Sequence, residues 1–148
     1  MIKIFSILIG IALLSSCSTY SDEQKNEFDS KIESYLKNKD IKCEKSDSGL
    51  YFKILDAGEG NLIQYKDVVS FTYTAHLLNG KLVDQKKEPI EYPVEELIGA
   101  WKEIMLKLRP GGKAYLVAPP QLGYGEHKLD EIPPNSILVF EMAVVEVK

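Results

Sequence analysis

The chain has 148 residues, of which 45% are hydrophobic, and it includes eight tyrosines and five phenylalanines. That length fits one domain plus a tail, and the composition excludes a globally disordered chain because it supplies enough apolar side chains for a core. The formal net charge of −4 argues against nucleic acid as a partner, since phosphate binding requires a basic face. The two histidines and two cysteines lack the spacing of metal ligands, so neither a metal site nor a cofactor is predicted.

Residues 1–16 have the pattern of an export signal. Lys3 supplies a positive start, and residues 4–14 form an apolar run that is shorter than the about 20 residues needed to span a bilayer core. The run ends in LSSC, whose last letter is Cys17; this resembles a bacterial lipoprotein signal, with cleavage before Cys17 and lipid on its sulfur. The alternatives are an ordinary secretory signal and an N-terminal anchor with an incidental cysteine. Several acyl chains on one cysteine anchor stably, which predicts a lipid-anchored protein of the bacterial cell envelope, periplasmic or at the outer membrane.

Residues 17–48 are predicted to form a lipid-anchored tether and a helix. Asp22 and Glu23 stand where a helix N-terminus favours acidic side chains. The apolar residues that recur at helical spacing are Phe28, Ile32, Tyr35 and Leu36. These signals predict a helix over residues 22–38, followed by a charged linker over residues 39–48. The helix could pack back on the domain, pair with a partner, or hold the domain about 25 Å from the membrane at ~1.5 Å per residue.

From residue 49 onward the hydrophobic pattern becomes that of strands. The predicted strands cover residues 50–55, 67–78, 81–84, 113–118 and 136–147, with residues 89–92 as a further short edge segment. Asn79-Gly80 predicts a hairpin turn. About five strands and one short helix predict an α+β domain over residues 49–148, in which an antiparallel sheet curls over the helix that covers its apolar face.

The stretch LIGAWKEIMLKLRPGGKAYLVAPPQLGYG contains that helix. Leu97, Trp101, Ile104 and Leu108 follow one another at helical steps and so share one helix face. The RPGG sequence then ends the helix, because proline and glycine terminate helices. Two prolines end the following strand, which leaves Tyr124 in a loop between two glycines.

The chain carries no sequence signature of a nucleophile, a paired-carboxylate site or a phosphate-binding loop. Instead, aromatic and aliphatic residues recur at the ends of elements, as in a small apolar ligand pocket with a few polar groups. The candidate residues are Tyr73, Asp84, Ile98, Trp101, Tyr124 and Phe140. The alternative is that Trp101, Tyr73 and Phe140 are ordinary core residues and that Asp84 is a turn residue that bonds to local backbone.

Residues 49–147 resemble the FKBP-type peptidyl-prolyl isomerases, which have the rapamycin-binding fold. The matching segments are VVSFTYTAHLLNGKLVD, LIGAWKEIMLKLRPGGK, LGYG and IPPNSILVFEMAVVEV, in the order and spacing of the family. The resemblance implies a peptidyl-prolyl isomerase that acts on proline-containing polypeptides, assists the folding of exported proteins, and binds a rapamycin-type macrolide. The alternative is a catalytically weak FKBP-like module that acts as a partner subunit of an envelope complex.

The resemblance also implies roles for single residues. Trp101 becomes the pocket floor, the Ile98 backbone N–H and the Tyr124 hydroxyl hold substrate carbonyls, and Asp84 adds polarity near the twisting bond. The implied substrate-binding residues are Tyr73, Val83, Ile90, Leu97, Ile132 and Phe140.

Some positions depart from the family's usual pattern. Val83 and Ile90 stand where aromatic residues are usual, and the loop over residues 125–132 is one residue short, with Asp130 and Glu131 where apolar residues are common. These departures predict a wider pocket with an acidic lip, and a slower or differently selective activity.

The implied mechanism needs no covalent step. Rotation about an amide bond has a barrier of ~18–20 kcal/mol, and uncatalysed isomerisation before proline takes tens to hundreds of seconds. The twisted amide has lost its resonance and its charge separation, so a dry apolar pocket favours it over the planar amide. General acid–base catalysis is therefore not required, and the lack of a candidate histidine in the pocket is no objection to this mechanism.

Overall fold

The computed structural model describes residues 20–148, so the predicted signal segment and Cys17 lie outside the described residues. The helices and strands, in chain order, are α1 Asp22–Lys39, β1 Glu44–Lys45, β2 Tyr51–Asp56, β3 Val68–Leu77, β4 Leu82–Pro93, α2 Gly99–Met105, β5 Lys113–Ala118 and β6 Leu138–Val147. The strands form one sheet in the order β1-β2-β5-β6-β3-β4. Every neighbouring pair is antiparallel, which confirms the predicted α+β class and the N-terminal helix.

The two central strands, β3 and β6, follow the alternation that the sequence predicted. Phe71 and Tyr73 are buried on β3, and Phe140 and Met142 are buried on β6, while Glu141 between them is exposed. We call this apolar side of the sheet the inner face. It packs against Trp101 and the other buried residues of α2 in one core, as expected for a helix that covers a sheet.

The N-terminal helix α1 covers the opposite side of the sheet, which we call the outer face. Phe28, Ile32 and Leu36 of α1 pack in a second cluster with Val117 of β5 and Val139 of β6. Of the alternatives that the sequence left open, the structure therefore has the helix packed back on the sheet. Because all 18 residues of this helix belong to the docked element, the helix does not act as a spacer between the domain and the N-terminal segment.

Three elements differ from the sequence prediction. The segment expected to be only a linker contains β1, whose residues Glu44 and Lys45 pair with β2. The two segments predicted at 81–84 and 89–92 are one strand, β4, because Gln85 and Lys86 also pair with β3 and a register shift accommodates the residues between Lys86 and Ile90. Helix α2 spans only seven residues, and the buried residues Leu97 and Leu108 flank it without being helical.

Cys43 lies half-buried after α1 as a free thiol among the described residues. Burial raises its pKa, so the reactive thiolate is disfavoured. Within residues 20–148, no helix is long and apolar enough to cross a membrane.

Candidate functional site

A cavity of about 240 Å³ lies between β3, β4, the start of α2 and the loop that carries Tyr124. Its lining residues are Tyr73, Lys86, Ile90, Tyr92, Glu96, Leu97, Ile98, Trp101 and Tyr124. Six of the ten predicted pocket residues are in this lining: Tyr73, Ile90, Leu97, Ile98, Trp101 and Tyr124.

Trp101 is the centre of a cluster of aromatic rings below the cavity. Its ring centroid is 4.6 Å from that of Tyr73, and it meets Phe140 nearly edge-on at 5.2 Å and Phe71 at 5.5 Å. The side chain is buried, and among the described residues its Nε1–H has no hydrogen-bond partner. An unsatisfied buried donor costs about 1–3 kcal/mol and is uncommon in folded proteins.

Ile98 precedes α2 and has an extended backbone, with φ −61° and ψ 156°. Its carbonyl accepts from the amides of Trp101 and Lys102, both at 3.0 Å, so the helix begins at the cavity. Gly99 allows the loop that carries Tyr124 to approach the helix closely, because a Cβ at position 99 would lie only 3.3 Å from Leu122 Cδ2. The helix start and the loop of Tyr124 are thereby packed together.

The polar pair of the site is Tyr73 and Asp84. The Tyr73 hydroxyl donates to Asp84 Oδ2 at 2.5 Å, and the amide of Gln85 donates to Asp84 Oδ1 at 2.8 Å. Burial, followed by the bond to Asp84, raises the pKa of Tyr73, which keeps this hydroxyl protonated as a donor. Asp84 is outside the cavity lining, and this hydrogen bond joins it to Tyr73, which is in the lining.

Tyr124 reaches the cavity from a short loop after β5. The amides of Gly123 and Gly125 both bond to the carbonyl of Pro120, at 3.0 and 2.9 Å, and this tight turn presents the intervening tyrosine. The side chain is half-buried, and burial, with a smaller effect from Asp84, raises its pKa. Its hydroxyl is therefore a neutral hydrogen-bonding group beside an apolar cavity.

The other predicted pocket residues lie outside the lining. Phe140 is below Trp101, Ile132 is buried in the same core, and Val83 packs against that core partly buried. Conversely, the lining contains Lys86, Tyr92 and Glu96, which the sequence analysis missed.

The acidic lip was predicted from Asp130 and Glu131, and the second of these is not an isolated negative charge. Glu131 pairs with Lys81 at 2.6 Å, and this lysine lowers the pKa of Glu131. The lining itself carries one lysine, Lys86, and one glutamate, Glu96. Lys81 thus balances the charge of Glu131, and the acidic lip remains a prediction at Asp130.

Comparison with known proteins agrees with this geometry. The model of the FKBP-type peptidyl-prolyl cis-trans isomerase family matches residues 60–145, which include β3, β4, α2, β5 and most of β6. The chain belongs to this family. The FKBP match thus contains every lining residue of the cavity.

Relatives in the FKBP family include a probable FKBP-type peptidyl-prolyl cis-trans isomerase of Haemophilus influenzae, 36% identical over 90% of this chain and 56% of that protein. FkpA of Escherichia coli K12 is 35% identical over 78% of this chain and 43% of its own length. The chain thus spans about half the length of these curated relatives.

Solved structures show the same fold. The crystal structure of Escherichia coli FkpA aligns with a TM-score of 0.73 and 30% identity, over 85% of this chain and 62% of that chain. A peptidyl-prolyl cis-trans isomerase of Pseudomonas syringae aligns with a TM-score of 0.70 and 23% identity, over 88% of this chain and 98% of that chain. The second likeness concerns the fold alone.

Proposed function

We propose that this chain is a peptidyl-prolyl cis-trans isomerase whose active site is the cavity above Trp101. The observation that carries the proposal is the construction of the cavity: an aromatic floor, apolar walls and two tyrosine hydroxyls that stay protonated. A proline ring fits an aromatic floor of this kind. Membership in the FKBP-type family supports the same activity.

In the proposed mechanism the substrate proline lies on Trp101 and its preceding amide twists within the apolar cavity. The twisted amide is less polar than the planar one, so a water-poor site stabilises it more strongly. The Ile98 N–H and the Tyr124 hydroxyl hold flanking substrate carbonyls. Asp84 acts through Tyr73, because its carboxylate orients that hydroxyl and adds a fixed negative charge near the rotating bond.

The direct test is the rate of cis/trans exchange in a proline-containing peptide, measured with the full chain in detergent and with peptides that vary the residue before proline. We expect acceleration above the uncatalysed rate and inhibition by rapamycin. Exchange at the uncatalysed rate with every peptide would refute the enzymatic proposal.

Two variants test the site assignment. Tyr124→Phe removes the hydroxyl that we assign to substrate binding, and Asp84→Ala removes the acceptor of the Tyr73 hydroxyl. We expect both to slow exchange, with wild-type thermal stability in Tyr124→Phe as the check that the fold is intact. If neither changes the rate of an active enzyme, the catalytic site lies elsewhere.

We also propose that the protein is a lipoprotein of the bacterial cell envelope, anchored through Cys17, where it assists the folding of exported proteins. The LSSC sequence after the apolar run supports the anchor. Tyr20 is already buried against the folded domain, and the three residue steps from Cys17 to Tyr20 span at most about 10 Å. An anchor at Cys17 therefore holds the domain close to the membrane surface.

Replacing the proposed lipidated residue tests the anchor. Cys17→Ser is expected to move the protein from the membrane fraction to the soluble fraction, and Cys43→Ser is the control that should remain in the membrane fraction. Continued membrane association of Cys17→Ser would refute lipidation as the anchor.

The second candidate function is a binding module with little or no catalysis. Ile90 favours it, because this aliphatic residue occupies a lining position where the family usually has an aromatic one. Rapamycin binding without acceleration of exchange on any peptide would support this candidate.

A further inference from the structure

Tyr20 connects the N-terminal helix to the loops beside the cavity. Although it precedes α1, its side chain is only 4% exposed. Its hydroxyl donates to Asn135 Oδ1 at 2.6 Å, and its ring meets Phe28 edge-on at 5.3 Å between centroids. Tyr20, which precedes the first helix, is thus packed and hydrogen-bonded against the folded domain.

Asn135 continues the connection to the loop that carries Tyr124. The Asn135 amide donates to the Gly125 carbonyl at 2.8 Å, and the Gly125 amide donates to the Pro120 carbonyl at 2.9 Å. Asn135 and Gly125 have φ values of 60° and 59°, in the left-handed region that asparagine and glycine tolerate best. The hydrogen bonds therefore run from the Tyr20 hydroxyl to the residue that follows Tyr124.

The two ends of this connection differ in how firmly they are held. Phe28, the partner of the Tyr20 ring, is buried in the outer-face cluster with Val139, so Tyr20 is fixed relative to the sheet. The loop side is looser, because Tyr20, Gly125 and Glu126 border an open cavity of about 450 Å³. Leu122 and Tyr124 pack the other side of the loop against the core, so on the side that borders this cavity the hydrogen bonds of Asn135 supply the contact that packing does not.

We infer that Tyr20 is a positioning residue for the site: its hydroxyl, through Asn135, holds the Tyr124 loop in the geometry that binds substrate. This inference rests on the proposed function of the cavity. It makes the outer-face helix, which does not reach the cavity itself, a determinant of how well the cavity binds a peptide.

The test compares the hydroxyl of Tyr20, which precedes α1, with that of Tyr35, which lies within α1. Tyr20→Phe keeps the ring and removes the bond to Asn135. Tyr35→Phe is the matched control, since it removes the hydroxyl that pairs with Tyr115 Oη at 3.2 Å, far from the Tyr124 loop along the helix. Both are made in the full chain in detergent.

Tyr20→Phe is expected to raise the KM for a proline peptide about two- to tenfold, the range that corresponds to one net hydrogen bond, with kcat nearly unchanged. Tyr35→Phe is expected to leave KM unchanged. Equal KM values for wild type and Tyr20→Phe would overturn the inference, as would an equal rise in both variants.

A second variant removes the acceptor. Asn135→Gly keeps the positive φ and removes the side-chain oxygen, so it is expected to raise KM as Tyr20→Phe does. The double variant is expected to lose no more than either single variant, because both break the same bond. Additive losses would show that the two residues act independently and would overturn the inference.

Amide hydrogen exchange supplies a measurement that does not depend on catalysis. Tyr20→Phe is expected to speed exchange of the Gly125 and Asn135 amides, which donate within this connection, and Tyr35→Phe is not. Unchanged exchange in Tyr20→Phe overturns the inference even in an active isomerase. A chain without isomerase activity but with faster exchange in Tyr20→Phe would instead refute the proposed function and leave the loop connection standing.

Discussion

The two helices cover opposite faces of one sheet, but different interactions stabilise their helical conformation. Helix α1 has 18 residues, acidic residues in its first turn, basic residues in its last turn, and a reciprocal cap between Ser21 and Gln24. Helix α2 has seven residues and no side-chain cap. Since isolated helices much shorter than about 12 residues are marginal in water, α2 exists because the sheet buries it.

This difference has a consequence for function. Of the α2 residues that stabilise the helix by burial, Trp101 also lines the cavity. The buried residues of α1, such as Ile32, contact the sheet on the other side. Substitutions in α2 should therefore alter stability and activity together, whereas those in the middle of α1 should alter stability alone.

The largest expected effects come from the buried centre of each helix. Trp101→Ala and Ile32→Ala should each cost about 2–5 kcal/mol of unfolding free energy, since both create a cavity. Only Trp101→Ala should also lower kcat/KM, by more than about tenfold, because it removes the floor of the site. Denaturant unfolding and peptide exchange, measured on both proteins, check this; a comparable loss of kcat/KM in folded Ile32→Ala would contradict the separation of roles.

A smaller effect is expected from the tyrosine hydroxyls on the two faces. Tyr73→Phe leaves Asp84 Oδ2 without the donor that it has at 2.5 Å, which should lower kcat/KM about tenfold, equivalent to about 1.4 kcal/mol. Tyr51→Phe is the outer-face control, because its hydroxyl bonds to Glu33 and Asp29 at 3.2 and 3.4 Å. The kcat/KM of Tyr51→Phe should equal that of wild type. Equal losses of kcat/KM in both variants would contradict the assignment of catalysis to the inner face.

The N-terminal cap of α1 should have a modest effect on stability. Ser21→Ala removes the side chain that accepts from the Gln24 amide at 3.2 Å and should lower the unfolding free energy by about 1 kcal/mol. Ser30→Ala, in the middle of the same helix, should be neutral or slightly stabilising because alanine has the higher helix propensity. Thermal unfolding of the two variants measures the difference. If Ser30→Ala proves as harmful as Ser21→Ala, the helix is not stabilised by its cap.

The smallest expected effect is that of pH on the reaction rate. Burial raises the pKa of Tyr73 and Tyr124, so both hydroxyls stay protonated and kcat/KM should be constant from about pH 7 to 9. Above about pH 10 the unfolded chain loses these tyrosine protons before the folded one does, so stability should fall as pH rises. A bell-shaped rate profile within the lower range would point to acid–base catalysis instead.

Periodicity was sufficient wherever one face of an element is buried. The alternation in β3 and β6 predicted which residues face inward, and Phe71 and Phe140 do so. The helical spacing and acidic start of α1 placed it within one residue of its observed end. In these elements the same side chains that create the pattern also provide the burial energy, so local and tertiary preferences agree.

Periodicity was insufficient where pairing with a distant segment decides the structure. The two-residue strand β1 exists only because Glu44 and Lys45 find β2, and nothing in a charged segment predicts that. The charged residues of the cavity lining, Lys86 and Glu96, look like ordinary surface in the sequence. Lys86 reaches the cavity because of the register between β4 and β3, and this register includes shifts that the sequence does not reveal.

The sequence by itself determined the FKBP-type family, the α+β class, the N-terminal helix and the aromatic residues around Trp101, because these depend on residue type and spacing. The tertiary structure alone decided where α1 goes, that Glu131 is paired with Lys81, and that Tyr20 meets Asn135 across the fold. Contacts of this second kind join residues far apart in the chain, and their formation depends on how the sheet and the loops bring two surfaces together. The connection from the N-terminal segment to the Tyr124 loop belongs to that second kind.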